Sequence, residues 1–292
     1  MNIYDICFAI LVVFIWGVNF VAAKVGLNHL PPILLMSLRF LLVALSLLPF
    51  LKKPECSWRT LFILALSYGL AYHSLLFTAV WMGIDVSTSV IAAQLNVPFT
   101  SILGVWFLDD KIGWRRLLGM IIAFSGIIII FGNPVVTQHP IAFLMLIAAA
   151  WCWAIFNVQL KMIKEYSILN LLGWISILAT PMLFLTSYLF EGAQWHQLWL
   201  VDKNDIFSLA YMSILATVCG FGLWSHLLKR HPVSQVAPFS MLMPIFGVLA
   251  ASLFLDEPLT WHKLWGGSLT LIGVALIILR RPHMTTGGAA VN

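Results

Sequence analysis

A small set of polar side chains interrupts otherwise apolar stretches, and their spacing points to binding chemistry. Trp16, Phe20 and Lys24 recur every fourth residue and share one helical face, with Asn19 beside them. Trp153, Asn157 and Lys161 repeat that spacing further along. Arg39 follows Pro31-Pro32 on a face shared with Met36, where a guanidinium needs hydrogen-bond partners or an anion. It is a candidate for meeting a ligand carboxylate or for holding helix-end carbonyls. Tyr68 and Tyr72 share a face beside His73. Gln94 and Asn96 precede Pro98, Ser240 and Met243 precede Pro244, and Trp224 and His226 lie between. A proline removes a backbone donor and frees a carbonyl, which an apolar helix tolerates only where something else satisfies it. As a set, these residues predict an aromatic-lined cavity with hydrogen-bonding groups and few charges.

Each residue also has a plainer reading. Lys24 and Lys161 can snorkel to an interface, and the tryptophans can form an aromatic belt. A lone His73 can be a hydrogen-bonded core residue, and the small polar groups can be helix–helix glue. No aspartate or glutamate falls in the middle of an apolar stretch. That absence argues against a carboxylate proton relay and for facilitated diffusion or exchange. No HExxH motif or mid-stretch acid pair is present, so an intramembrane enzyme is disfavoured. A channel would need a filter-like loop or rings of charge, and neither is evident. Cys7, Cys56, Cys152 and Cys219 form no CxxC pair, and no metal or other cofactor is expected.

The elements that must position these residues are membrane helices. The 292 residues are 61% hydrophobic and only 9% charged, with a mean hydropathy of +0.98. A span needs about 20 apolar residues. Ten such segments are expected, at about 6–27, 32–51, 60–82, 86–108, 114–132, 140–161, 169–190, 207–228, 234–255 and 263–280, with breaks or kinks near Pro98 and Pro244. The first lacks a basic leader and a small-residue cleavage site, which reads as a retained span. The tail after Arg281 reads as disordered.

The segments also repeat. Residues 77–126 and 224–273 align without a gap, matching Val86/Val233, Ser87/Ser234, Asp109/Asp256, Trp114/Trp261, Gly119/Gly266 and Gly126/Gly273. Five spans per half is an odd number, so the second half enters the bilayer from the opposite side. Inverted repeats with a site between them are a transporter architecture. On this reading Lys24 and Lys161 sit at opposite surfaces, as paired gates would.

Basic residues set the orientation. With cytoplasmic termini, the cytoplasmic loops and tail hold Lys52, Lys53, Arg59, Lys111, Arg115, Arg116, Lys161, Lys164, Lys229, Arg230, Arg280 and Arg281, against only Lys203 and Lys263 opposite. The net charge of +5 follows from topology and anionic lipid headgroups, and gives no support to nucleic-acid binding.

The run Trp16-Gly17-Val18-Asn19-Phe20, then Lys24-Val25-Gly26-Leu27, Pro31-Pro32 and Leu38-Arg39-Phe40, resembles the EamA family of the drug/metabolite transporter superfamily. Phe254-Leu255-Asp256-Glu257 is similar to that family's acidic turn, with Leu108-Asp109-Asp110 as its first-half copy. The likeness covers about residues 6–280, and within the family it is nearest to bacterial inner-membrane exporters of cysteine and O-acetylserine. It implies an all-α integral membrane protein with ten transmembrane helices as two inverted five-helix repeats (1–133 and 134–283, then a tail at 284–292). It also implies a central cavity lined mainly by helices 1, 3, 4, 6, 8 and 9. The expected cargo is small amino acids or related metabolites, with aromatic or hydrophobic compounds as the alternative. The expected substrate-binding residues are Trp16, Asn19, Lys24, Arg39, Tyr68, Tyr72, His73, Gln94, Trp153, Asn157 and Trp224. The expected partners are a small-molecule substrate and membrane lipids, with the chain working as a monomer or homodimer.

Overall fold

With no water in the bilayer core, each backbone N–H and C=O must be satisfied inside its own segment, so helices are the economical solution for this composition. A computed structural model describes residues 1–278 except 111 and 193. It contains ten helices long and apolar enough to span a membrane. They are α1 (Ile3–Gly26), α2 (Pro32–Phe50), α3 (Trp58–Trp81), α4 (Val86–Leu108), α5 (Trp114–Phe131), α6 (Pro140–Met162), α7 (Ile168–Phe190), α8 (Lys203–Arg230), α9 (Ala237–Phe254) and α10 (Trp261–Ile278). Lys111, Arg280, Arg281 and the expected tail lie outside the described residues. Short polar residues mark several helix starts. Asn2 accepts from the Asp5 amide at 2.8 Å, Ser57 from the Thr60 amide at 3.2 Å, and Asp202 forms a capping box with Asp205.

The face at which α1 starts and α10 ends is called near, and the opposite face far. The α5–α10 pair packs through backbone. Gly126 lies against the Gly266 carbonyl and Thr270, while Gly119 lies against the Gly273 carbonyl. These four glycines exchange places under the sequence repeat, so the two halves are related about an axis through this contact. The α2–α7 pair is the second such seam. The α1–α9 and α4–α6 contacts are equivalents of one another under the same exchange.

Besides the 3-10 stretch Leu48–Phe50 that ends α2, four segments among the described residues depart from regular helix, in matched pairs. Within α3, Ala65–Tyr72 winds as a π-helix, and Tyr211–Cys219 does the same in α8. Such wide turns leave carbonyls that side chains can reach. The Thr217 hydroxyl donates to the Met212 carbonyl at 2.7 Å, and His73 Nδ1 lies 2.7 Å from the Tyr68 carbonyl. In α4 the helix breaks at Gln94–Leu95 and restarts at Asn96. In α9 a 3-10 stretch, Ala237–Met241, precedes Leu242–Phe254. Pro98 and Pro244 are each the third residue of the restarted helix, where a missing N–H costs no intrahelical bond. The discontinuity therefore comes just before each proline.

Candidate functional site

Side chains from α1, α2, α3, α4, α6, α8 and α9 enclose a central cavity of about 230 Å³. Trp16 and Asn19 enter from α1, Arg39 from α2, and Tyr68, Tyr72 and His73 from the π-turn region of α3. Gln94 and Asn96 enter at the break in α4, Trp153 from α6, and Ser240 and Met243 at the start of α9. The wide turn and the break thus turn side chains and loosened backbone towards one space. The wall also contains Phe20, Leu76, Phe77, Ala93, Val97, Ala216 and Phe221, which the sequence reading did not select as site residues. Phe20 carried a signal, as a neighbour of Asn19 on the α1 face, whereas Phe221 carried none, because the α8 wide turn beside it leaves no trace in composition. The aliphatic ones carried none, because they look like any packing residue.

Among the described residues, Arg39 is the only Lys, Arg, Asp or Glu in this wall. It is 6% exposed, and Nη2 donates to the Thr217 hydroxyl at 3.1 Å. Thr217 spends its own proton on Met212, so its oxygen is free to accept. The remaining polar contact is a weak one from Nη1 to the Met36 sulfur at 3.9 Å. Among the described residues no carboxylate pairs with Arg39. A buried guanidinium with one good acceptor is under-satisfied, since its five donors are matched by few partners. An anion entering the cavity would correct that.

Aromatic rings surround the cation. Tyr68 and Tyr72 stand edge-on to His73, with centroids 4.8 and 4.7 Å away, and Trp153 lies 4.6 Å from Tyr72. Because a carbonyl only accepts, His73 Nδ1 is the donor to Tyr68, which leaves Nε2 as an acceptor. On the other wall the Trp16 indole donates to the Ala216 carbonyl at 2.9 Å, within the wide turn of α8. Asn19 is buried, and its Oδ1 has no partner.

Three expected site residues lie outside this wall. Lys24 is eight residues beyond Trp16, about 12 Å along a helix, and its Nζ donates to the Val80 carbonyl at 3.3 Å on the far side. Asn157 donates to the Thr100 hydroxyl at 3.4 Å, tying α6 to α4. Trp224 stands behind Trp16, with rings 5.3 Å apart.

The cavity is sealed at one end. Phe20, Leu76, Phe77 and Ala93, on its far side, are buried. Val97, Trp153, Phe221 and Ser240, on its near side, are part-exposed. A separate pocket, lined by Glu55, Cys56, Thr60, Gln159, Lys164 and Glu165 among others, lies at the near ends of α3 and α6.

Ten membrane-crossing helices in two inverted halves, around an aromatic-lined, near-side-open cavity with a few convergent polar groups, define a multi-pass membrane transporter for a small molecule. The chain belongs to the EamA-like transporter family, whose model matches residues 3–132 and 140–279. It is 32% identical over 282 residues to a probable amino-acid metabolite efflux pump of Escherichia coli (strain K12), covering 94% of each chain. It is 34% identical over 274 residues to a protein of the same description from Salmonella typhimurium, covering 91% of this chain and 92% of that one. A crystal structure of a protein at 15% identity covers 96% of this chain and 98% of its own, with a TM-score of 0.65, and supports the fold alone. The family and these relatives make the chain a transporter rather than an enzyme.

Proposed function

We propose that this protein exports small amino acids or related metabolites, of the cysteine and O-acetylserine kind, across the bacterial inner membrane by alternating access. The observation that carries the reading is Arg39, an unpaired buried cation facing a cavity of about 230 Å³. A carboxylate supplies the missing acceptor geometry, and charge-assisted bonds of this kind are the strong ones. The volume falls below the roughly 300–1,000 Å³ of drug-sized pockets, which favours small metabolites over large hydrophobic compounds. The names borne by the relatives at 32% and 34% identity point the same way.

In this reading residues 1–133 and 134–283 form the two inverted repeats, and α3, α4, α8 and α9 move against the α2–α7 and α5–α10 seams. Lys52, Lys53, Arg59, Arg115, Arg116, Lys161, Lys164, Lys229 and Arg230 all belong to the near side, which supports cytoplasmic termini. On the far side Lys203 opens α8, while Lys263 is 2% exposed and paired with Asp85. The near-open cavity is then the loading state of an exporter, with substrate entering from the cytoplasm. Lipids surround the bundle, and the cavity wall comes from one chain, so a single copy can carry substrate. Trp16, Asn19, Tyr68, Tyr72, His73, Gln94 and Trp153 shape the pocket around Arg39. Lys24, Asn157 and Trp224 support it from outside.

Counterflow of labelled cysteine, O-acetylserine, serine and aromatic amino acids in proteoliposomes tests the proposal. Saturable exchange competed by unlabelled compound supports it, and its size preference separates small cargo from aromatic cargo. Folded protein that exchanges none of them sinks the amino-acid reading.

A further inference from the structure

Charged side chains fasten the far end of the bundle, and their counterparts at the near end are more exposed. Glu257, in the turn between α9 and α10, accepts from the Val86 amide at 2.7 Å, the Ser87 amide at 2.9 Å and the Ser87 hydroxyl at 2.5 Å. A carboxylate over the exposed N–H groups of a helix N-terminus is a favourable pairing. Beside it Lys263, at the start of α10, meets Asp85 at 2.9 Å and donates to the Pro258 carbonyl at 3.0 Å. The first turn of α4 is thus fastened to the α9–α10 turn. Lys24 ties α1 to α3 on the same face.

The gap-free alignment of residues 77–126 with 224–273 sets Asp110 against Glu257, Arg116 against Lys263, and Val86-Ser87 against Val233-Ser234. The two turns share a backbone form, because Asp109 and Asp256 both hold a left-handed φ of 53°. Val233–Val236 begins a helical turn on the near face, as Val86 begins α4 on the far one. Their surroundings differ. The acid and base of each turn stand 4.0 Å apart, but the Asp110 side chain is 40% exposed, against 11% for Glu257. Lys161, the near-side analogue of Lys24, is exposed.

We propose that Glu257 with Lys263 is the far gate of the transport cycle, and that Asp110 with Arg116 is the near gate. Each carboxylate caps a helix start in the opposite repeat, and the two latches close in alternation. In the far-open state Asp110 takes the amides of Val233 and Ser234, as Glu257 now takes those of Val86 and Ser87. The near latch has Pro232 where the far one has Asp85. Its cation therefore lacks a second acid, the latch is weaker, and the resting protein opens to the near face. The inference rests on the alternating-access reading of the cavity and is independent of which cargo the cavity takes.

Hydrogen exchange read by mass spectrometry, on the full chain in nanodiscs without substrate, tests this. In Glu257→Gln, exchange at residues 86–89 should speed up by about 10- to 100-fold, the range set by one or two charge-assisted bonds. At the same time exchange at 233–236 should slow, although that segment lies on the other face. Ser87→Ala, which removes one of three bonds and carries the test where Glu257→Gln does not fold, should move both segments in the same directions by less. Asp110→Asn should move both in the opposite directions, and α5 and α10 should stay unchanged throughout. If Glu257→Gln or Ser87→Ala speeds 86–89 and leaves 233–236 untouched, the contact is a static helix cap and the gate assignment is wrong. Failure of the cargo reading would show separately, as absent counterflow with these exchange patterns intact.

Discussion

At the seam between α2 and α7, Glu191 accepts from the Ile33 and Leu34 amides at 2.6 and 2.9 Å on the far face. On the near face Glu55 accepts from the Ser167 amide at 2.7 Å, and Asn170 accepts from the Lys52 amide at 3.0 Å. The α4 start is fastened by Glu257 on the far face, while the corresponding Asp110 on the near face is part-exposed. The same chemical device is thus used twice at the seam and once at the moving arms. A pair of helices bolted at both ends cannot tilt towards either face, whereas an arm bolted at one end can. In the proposed cycle that difference separates the α2–α7 scaffold from the arms that move.

The comparison breaks most visibly at the other seam. Gly126→Leu would drive a side chain into the Gly266 backbone and Thr270, where no flexible atom can yield. Overpacking of this kind costs about 1–3 kcal/mol or more. The expected outcome is loss of monodisperse, folded protein by size-exclusion chromatography, and a normally folded variant would remove α5–α10 from the scaffold. Arg39→Ala tests the arms' cargo. It should lower exchange about 10- to 100-fold, the value of a charge-assisted bond, with the melting temperature retained. Arg39→Lys should recover part of the flux, because it keeps the charge and loses the planar fork.

Glu191→Ala sharpens the contrast between the two regions. It strips the α2 start of its acceptor and should cost about 1–3 kcal/mol of stability by thermal melting. Unlike Glu257→Gln, it should leave hydrogen exchange at 233–236 unaltered. A smaller effect follows from the environment of Glu191, where burial pushes the carboxyl above its ordinary value against the hydrogen bonds from Ser187, Ile33 and Leu34. The folded state then binds this proton more tightly than the unfolded chain. Its contribution is full at pH below the ordinary glutamate value and is lost as pH rises through the raised one. Melting temperature against pH should therefore fall more steeply over that window in wild type than in Glu191→Gln, and parallel curves would contradict it.

Much of this was legible in the sequence, for identifiable reasons. Span lengths follow from bilayer thickness, and the repeat is written in matched residues such as Gly126/Gly273, so ten helices in two inverted halves could be read directly. Arg39 stood out because a guanidinium in an apolar stretch needs a partner. The wide turns of α3 and α8 were not legible, since five-residue hydrogen bonding leaves no compositional trace. Lys24 was read both as a cavity residue and as a group at the surface opposite Lys161, and its bond to the Val80 carbonyl beyond the cavity fits the second of these. Lys263 looked like an ordinary loop lysine, although Asp85, its partner, is far away in the chain. Long-range pairing of that kind is where single-sequence reasoning stops.

The decisive contact in the proposed cycle is that of Arg39 with a substrate carboxylate. Its most direct test is competition in the counterflow assay by matched analogues, serine against serinamide, in wild type and in Arg39→Ala. Serine should compete and serinamide should not in wild type, and the difference should disappear with the guanidinium. Equal competition by acid and amide in wild type, or discrimination that survives Arg39→Ala, would contradict it.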